Sequence, residues 1–343
     1  MKRKTRSSCA KQSVLSKGRL PKLKVTRKTK PIPMSITDWD SLMKLSDIVV
    51  ECRETIRYRD CDPLLKIRES MLLIDKNIIG MSVLKDQLTR IIVKYCQHPK
   101  EPMNHVAILG PSGMGKTLIA TLLALLFMEM GKIKNSCLVM GSRANMIGSY
   151  LGETAKMTEA VVEAAIGGVL FIDEAYSLVS NSDSTDSYSQ ACVDTLCRLL
   201  TEYEGKFVCI IAGYKKEVEE RFLKSNPGLS RRFPIRLDVQ PYTSTELKQI
   251  FELQMDNRSL DSKITHEWFE QNLDSFHKGG GSMVNLHRMV ETAHSFRVFG
   301  MTARHKKIFT LQDMNKGFNM FKKHTMEGAE DHRSDKIPEG MYL

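Results

Sequence analysis

The chain has 343 residues and a mass of 39.0 kDa; 42% of its residues are hydrophobic and its formal net charge at pH 7 is +11. A chain of this size can bury a full core, and we expect two folded units with tails. Its longest apolar stretches are interrupted by charged or turn residues well short of a membrane span, and its N-terminus lacks the apolar segment of a secretory signal. The sequence therefore predicts neither a transmembrane helix nor a signal peptide.

The eight cysteines form no C-x-x-C pair and have no metal-type spacing with the nine histidines. Several of them, including Cys96 and Cys209, lie within apolar runs. This pattern is typical of thiols that pack as small hydrophobic groups in a reducing, intracellular compartment, the cytoplasm or the nucleus.

The excess charge is confined to the N-terminus. Residues 1–30 contain twelve Lys or Arg and no acid, whereas the other 313 residues contain 39 basic and 40 acidic groups. Dense like charge with little apolar surface predicts a basic disordered tail over residues 1–34. Three roles for it stay open: a nuclear-import signal, an anchor to nucleic acid or an acidic surface, and a solubilising arm.

Two kinds of unit follow the tail. Residues 35–75 have mixed helical periodicity, with Asp38 as a starting cap, and predict a helical preface. Over residues 76–240, short apolar runs alternate with helical segments, which predicts a parallel α/β sheet with crossover helices on both faces. The predicted strands cover residues 105–110, 136–141, 168–173, 207–213 and 233–239.

A phosphate-binding loop follows the first of these strands. Residues 110–117 read GPSGMGKT, a complete G-x-x-x-x-G-K-[ST] pattern between a predicted strand and a predicted helix. Glycines let backbone N–H groups turn inward around a phosphate, and the helix offers its positive end to the same group. Lys116 is expected to neutralise the β- and γ-phosphates of ATP, and the Thr117 hydroxyl to ligate Mg²⁺. The predicted ATP-binding residues here are Gly110, Pro111, Ser112, Gly113, Met114, Gly115, Lys116 and Thr117.

An aromatic loop lies between the second strand and the next helix. Residues 146–154 read MIGSYLGET, in which Tyr150, Leu151 and Gly152 combine an aromatic, an aliphatic and a small residue. Such a loop can grip a polymer without reading its sequence. The alternative is that Tyr150 fills a gap in local packing. The segment has no Lys or Arg, and this argues against a nucleic-acid channel.

Two acids end the third predicted strand. Residues 167–176 read GGVLFIDEAY, an apolar run that is typical of a strand buried on both faces. Asp173 is expected to hold Mg²⁺ and Glu174 to polarise the attacking water. The alternative is a pair of solvated loop acids or a helix cap.

The fourth and fifth strands add further candidates. Residues 207–214 read FVCIIAGY, and a polar group at the end of this strand can sit near the γ-phosphate. Residues 226–233 read NPGLSRRF. Arg231 or Arg232 could reach the γ-phosphate held by a neighbouring subunit and stabilise transition-state charge, the alternative being an ordinary surface pair.

After Pro241 the pattern becomes helical. Helices are predicted from Thr243 or Ser244 to about Asn257 and over residues 264–276, 283–298 and 311–324. These segments predict an all-α unit over residues 241–326. The polar residues 327–343 predict a flexible C-terminal tail.

In their order, these motifs closely resemble those of AAA+ ATPases of the stage V sporulation protein K and red-type Rubisco activase (CbbX-like) group. The resemblance covers about residues 70–325, and the helical preface with residues 189–197 is most similar to versions encoded by large DNA viruses. It implies a P-loop sheet with a small all-α lid, and a ring, expected to be hexameric, with ATP and Mg²⁺ between subunits. It also implies a central pore that is lined by Tyr150 and pulls on a protein client. Ile79, Gly80 and Tyr214 are expected to contact the nucleotide. For a viral version, the resemblance implies a location in the virion or the viral factory.

The lid departs from the family pattern. Residues 279–288 read GGGSMVNLHR, with Ser282 and Asn285 where the resemblance leads us to expect arginines. Either the lid arginine is lost or Arg288 replaces it from the next turn. Tyr214 stands where the family has a small polar sensor. Both departures predict slow turnover or altered coupling of the lid to hydrolysis.

Three functions follow from these motifs. The leading one is an ATPase that remodels or threads a protein partner. The second is a nucleic-acid motor or loader tethered by residues 1–30, and the third is a nucleotide-binding scaffold that scarcely hydrolyses, against which the intact Asp173 and Glu174 pair argues.

Overall fold

The computed structural model describes residues 28–150, 152–179, 187–255 and 257–334. Two helices and two very short strands precede the main sheet: β1 (Lys28–Lys30), α1 (Trp39–Cys52), β2 (Ile56–Tyr58) and α2 (Asp62–Asn77). Asp38 caps α1, as predicted, by accepting a hydrogen bond of 2.8 Å from the Ser41 N–H.

The parallel pairing of β1 with β2 corrects two predictions. Residues 28–30 do not belong to a disordered tail that extends to residue 34, and the preface over residues 35–75 is not purely helical. Main-chain hydrogen bonds, among them Arg59 N–H to Lys30 C=O at 3.0 Å, hold a strand in which two of the three residues are lysine. A pair of three-residue strands is too short to leave a periodic signal in the sequence. The rest of the predicted tail, residues 1–27, lies outside the described residues.

The main unit is a five-stranded parallel sheet with helices on both faces. Its strands lie in the spatial order β4, β5, β6, β3, β7. The elements in chain order are α3 (Ser82–Gln97), β3 (Val106–Leu109), α4 (Lys116–Glu129), β4 (Leu138–Gly141), α5 (Arg143–Met146), α6 (Glu153–Ala164), β5 (Val169–Ile172), α7 (Ser187–Glu202), β6 (Val208–Gly213), α8 (Lys215–Glu217), α9 (Pro227–Arg232) and β7 (Ile235–Asp238).

Alternate residues of the central strands enter two separate cores. Val106 and Ile108 of β3 pack with α1 to α4 on one face, whereas Ala107 and Leu109 pack with α6 and α7 on the other. Every residue of β3, β5 and β6 is buried. Burial on both faces explains why these strands appear in the sequence as continuous apolar runs. The predicted α/β sheet is confirmed, and each predicted strand overlaps an observed one.

The last unit has its own core. Its elements are α10 (Ser244–Leu253), β8 (Ser259–Leu260), α11 (His266–Gln271), α12 (Gly279–Val298), β9 (Ile308–Phe309) and α13 (Leu311–Ser334). Phe251, Phe269, Leu286, Val290 and Phe309 are buried together at its centre. We call this unit the lid.

The lid differs from the sequence prediction in four places. It contains the parallel pair β8 and β9, so it is not purely helical. The helix predicted over residues 264–276 ends at Gln271, and α12 starts at Gly279 rather than at residue 283. Helix α13 is longer than the helix predicted over residues 311–324 and continues through Ser334, past residue 327, where the predicted C-terminal tail begins. Residues 335–343 lie outside the described residues.

Candidate functional site

The loop of residues 110–115 joins the carboxyl end of β3 to the first turn of α4. The Gly110 N–H donates to the Gly213 carbonyl at 3.0 Å, which fixes the start of the loop to the end of β6. Gly113 and Gly115 have φ of 76° and 79°, a left-handed conformation that favours glycine. The loop is thus a backbone cradle in front of a helix N-terminus, a geometry suited to phosphate.

Lys116 is folded into this cradle. Its side chain is buried, and its Nζ donates to the carbonyls of Pro111 at 2.8 Å and Gly110 at 3.2 Å. Burial lowers the pKa of the Lys116 amine, while the nearby charges of Asp173 and Glu174 oppose that shift. The structure therefore brings the predicted lysine and the two predicted acids together. The next residue, Thr117, is exposed in the first turn of α4.

The two acids follow the buried strand β5. Asp173 accepts a hydrogen bond of 2.9 Å from the backbone N–H of Glu174, and Glu174 itself is exposed. Glu174 has φ of 48°, an unfavourable conformation for a residue with a side chain. Such strain is retained where the surroundings require it, and it is frequent at functional sites. The acids leave the sheet at the edge that carries the phosphate-binding loop.

Tyr176 and Tyr214 complete this edge. Burial raises the pKa of Tyr176 to about 12, aided by the charge of Glu174 and by a hydrogen bond to it. The Tyr214 ring lies 6.3 Å from that of Tyr176 and 5.7 Å from Lys116 Nζ, both measured to the centroid of the Tyr214 ring. Sequence analysis placed Tyr214 here but gave Tyr176 no role; its position two residues after Glu174 was the available signal.

The turn at Ile79 and Gly80 packs against the lid. Gly80 has φ of 60°, and a Cβ at this position would collide with the carboxylate of Glu246. Glu246 also accepts a hydrogen bond of 2.7 Å from the Thr243 N–H, which closes a capping box at the start of α10. The turn between α2 and α3 is therefore in direct contact with the first lid helix, a contact that the sequence did not reveal.

The N-terminus of α12 lies on the phosphate-binding loop. The Gly281 N–H donates to the Gly113 carbonyl at 3.0 Å, and the Tyr242 hydroxyl donates to the Met114 carbonyl at 3.4 Å. A Cβ on Gly113 would collide with the backbone of Lys278. The three glycines at residues 279–281 thus allow the backbone of α12 to contact the backbone of the phosphate-binding loop. This contact explains why the helix begins in a glycine segment whose helix propensity predicts a loop.

Arg288 lies away from this contact. It lines a surface groove with Phe296 and Phe299 and is seven residues, about 10 Å of helix axis, beyond Gly281. The structure therefore does not favour Arg288 as a replacement for the expected lid arginine. The phosphate-binding loop is contacted by the backbone of α12 and not by the guanidinium of a lid arginine.

Tyr150 projects from the surface with 76% of its side chain exposed. Glu153 holds the loop by accepting from the N–H groups of Ser149 at 3.0 Å and Tyr150 at 3.3 Å, and Gly152, with φ of 82°, precedes α6. The alternative in which Tyr150 fills a packing gap is wrong. Leu151, the third predicted residue of this loop, lies outside the described residues.

The two arginines lie at the opposite edge of the sheet. They are the last two residues of α9, shortly before β7, and they line a pocket with Thr201 and His105, the residue before β3. Arg232 donates to Thr201 Oγ1 and Gly228 C=O, each at 2.8 Å, whereas Arg231 is exposed. Strand β3, four residues long, separates this pocket from the phosphate-binding loop by about 13 Å. Neither arginine can reach a nucleotide in its own subunit.

The cysteines that the structure describes are all free thiols. Cys209 is fully buried and its pKa is raised by that burial, and burial raises the pKa of Cys96 to about 12. In the described part of the chain, no helix has the length and apolar character needed to cross a membrane.

Comparison with known proteins gives a family and a fold. Residues 106–240 match the model of the "ATPase family associated with various cellular activities (AAA)". A "Putative cfxQ-like protein R730" from Acanthamoeba polyphaga mimivirus is 33% identical over 310 residues, which cover 87% of this chain and 75% of that protein. The "Stage V sporulation protein K" of Bacillus subtilis is 37% identical over 48% of this chain, and the chain spans about half of that protein's length.

Among solved structures, a proline-to-glycine mutant of RuvB from Thermotoga maritima aligns with a TM-score of 0.50 and 18% identity. The alignment covers 71% of this chain and 70% of that chain, and at this identity it supports the fold alone.

Proposed function

Because the chain belongs to the AAA family of ATPases, in the group of CfxQ-like and stage V sporulation K proteins, we propose that it hydrolyses ATP between the subunits of a hexameric ring and thereby remodels or threads a protein partner. The predicted similarity to a version from a large DNA virus is confirmed by the mimivirus relative.

One observation carries this proposal: the predicted catalytic groups fall into two clusters at opposite edges of the sheet. Lys116, Asp173 and Glu174 meet at the carboxyl edge, and Arg231 and Arg232 lie at the amino edge. The first cluster has no arginine that can stabilise transition-state charge, and the second has neither a phosphate-binding lysine nor an acid that can activate water. A complete site therefore needs two copies of the chain. This arrangement supports a subunit interface as the place of reaction.

Within the site, each residue has a distinct task. The loop N–H groups and Lys116 hold the β- and γ-phosphates, and for this the amine exchanges its bonds with the Gly110 and Pro111 carbonyls for phosphate oxygens. Glu174, held by Tyr176, orients the attacking water. Bound Mg²⁺, held by Thr117 and Asp173, would neutralise charge on the phosphates. An arginine of the next subunit would stabilise charge that develops in the transition state.

The contacts of the lid support a coupling to mechanical work. The first turn of α12 touches Gly113, and the first turn of α10 touches Gly80, so the lid contacts the nucleotide site at two separate points. Loss of the γ-phosphate would release the loop and let the lid turn. In a ring, such a rotation would move the neighbour's Tyr150, whose exposed ring would grip the client.

The experiment combines a hydrolysis-dead form with a cross-linker. Glu174→Gln should bind ATP with wild-type affinity and release no phosphate, since the amide cannot act as the base. A photo-reactive phenylalanine analogue at residue 150 of this form should cross-link a client in an ATP-dependent manner. The same analogue at Leu253, which is 50% exposed on the lid, is the matched control. Undiminished turnover by Glu174→Gln, or equal cross-linking from both positions, would refute the proposal.

A further inference from the structure

Lys278 lies at the point where the lid meets the phosphate-binding loop. It is the residue directly before α12 and forms the N-cap of that helix. Its carbonyl and its Cβ both face Gly113: a Cβ added to Gly113 would lie 2.8 Å from the Cβ of Lys278. The base of the lysine side chain is therefore held against the loop, while the residue as a whole is exposed.

Ser282 fixes Lys278 in this place. The Ser282 hydroxyl accepts a hydrogen bond of 3.1 Å from the Lys278 N–H, and the Ser282 N–H donates to the Lys278 carbonyl at 3.3 Å. Ser282 is buried, so its hydroxyl would lose a partner without replacement by water if Lys278 moved. One of the two positions at which the resemblance leads us to expect an arginine thus holds the backbone of a lysine four residues earlier.

Lys278 is also the charged member of this contact. In the described part of the chain, the other lid residues that touch the loop are Tyr242 and the glycines of residues 279–281, and none of these carries a charge. Within the same residues, Lys278 forms no ion pair. An ammonium group without an acidic partner is therefore attached directly beside the phosphate-binding loop.

We propose that Lys278 binds the γ-phosphate of ATP and supplies there the positive charge that Ser282 and Asn285 lack. The inference rests on the proposed function only in that the loop binds ATP. Four single bonds carry the lysine amine about 5 Å from its Cβ, and a charge-assisted hydrogen bond adds about 3 Å. A triphosphate held by the N–H groups of the same loop lies within this reach.

The γ-phosphate is the group that a lid residue can best distinguish. The loop N–H groups surround the β-phosphate from within, whereas the terminal phosphate is open to a cation that approaches from the lid. A ligand moves a lid only if it binds two lid positions with different affinity. Contact between Lys278 and the γ-phosphate gives ATP, but not ADP, a preference for the position in which α12 lies on the loop.

The test compares the binding of ATP and ADP in the presence of Mg²⁺ by titration calorimetry. Glu174→Gln is the parent form, because it prevents turnover. Lys278→Gln removes the charge and keeps most of the stem, and Lys278→Arg keeps the charge. Lys263→Gln, at another exposed lid lysine, is the matched control. Lys278→Gln should bind ATP about tenfold more weakly and ADP within about twofold of the parent, whereas the other two forms should keep both affinities.

The ratio of the two affinities separates a phosphate contact from a structural role. Unchanged ATP affinity of Lys278→Gln would overturn the proposal. An equal loss of ATP and ADP affinity would also overturn it and would assign Lys278 to the contact between lid and loop alone. A loss in Lys278→Arg as large as that in Lys278→Gln would show that charge is not the cause. Failure of the proposed function is seen separately, because the parent form would then bind no ATP.

Discussion

Substitution of Gly113 by alanine tests the contact between the lid and the phosphate-binding loop. The new Cβ would point at the Lys278 backbone, closer than the 3.0 Å below which real Cβ contacts essentially never occur. Reaching the ordinary contact distance of 3.4 Å needs a shift of about 1 Å in loop or lid backbone, since no side chain can rotate away. That shift would break the hydrogen bond from Gly281 to Gly113.

The cost can be worked out from these contacts. Holding a Cβ at φ of 76° costs about 1–2 kcal/mol, and the lost hydrogen bond costs about 1 kcal/mol more. The two costs add up to about 2–3 kcal/mol. Since about 1.4 kcal/mol corresponds to a factor of ten, Gly113→Ala should weaken ATP binding by about 30- to 140-fold. Titration calorimetry with ATP on the Glu174→Gln background measures the dissociation constant without turnover.

Two matched controls isolate the lid contact. Gly131 has φ of 70°, but an added Cβ would meet nothing within 4 Å, so Gly131→Ala incurs the backbone strain alone and should keep its ATP affinity. Gly281→Ala meets the Gly113 Cα at an ordinary 3.6 Å and should also bind normally. Wild-type affinity of Gly113→Ala, or an equal loss in Gly131→Ala, would refute the role given to this contact.

Three further predictions concern other contacts. Tyr176→Phe removes the hydroxyl that bonds Glu174, and should lower kcat several-fold with little change in KM; a change in KM alone in a steady-state assay would contradict this. Gly80→Ala should raise KM for ATP through its collision with Glu246, and adding Glu246→Ala should restore part of the loss, whereas simple additivity of the two in the same assay would contradict the contact. Burial raises the pKa of Asp313, but hydrogen bonds, led by the one from Arg297, outweigh burial and hold this pKa at about 2, below the ordinary 3.8. The ionised carboxylate should therefore add about 2 kcal/mol to the free energy of unfolding above pH 4, and this contribution should be lost as the pH falls to 2. Urea unfolding checks this, since Asp313→Asn should be flat in that window and less stable by about 3–5 kcal/mol at pH 7.

The sequence predicted the parallel sheet and the nucleotide-binding side of the site because both depend on local patterns. Strands buried on both faces appear as apolar runs, and the glycines of residues 110–115 are required by the backbone turn itself. Asp173 and Glu174 were identified because two acids directly after a strand that is buried on both faces indicate a functional role. Each of these signals lies within about ten residues of chain.

The contacts between distant segments could not be predicted. Gly113 with Gly281, and Gly80 with Glu246, are each separated by more than 160 residues, and no single segment carries a mark of its partner. Helix α12 begins on three glycines because packing on the loop outweighs their poor helix propensity. The sequence did not predict strand β1 because its three residues are stabilised by backbone hydrogen bonds to β2. The charge and composition of a segment do not reveal such bonds.

The central claim is that two copies of the chain build one site, and mixing two inactive forms tests it most directly. Glu174→Gln keeps both arginines but lacks the base, and Arg231→Ala/Arg232→Ala keeps the base but lacks the arginines. Each alone should bind ATP and release no phosphate, whereas mixed subunits should regain a fraction of wild-type phosphate release at interfaces that combine an intact Glu174 with a neighbour's arginines. No activity at any mixing ratio in assembled mixtures, or full activity of the arginine form alone, would contradict the account.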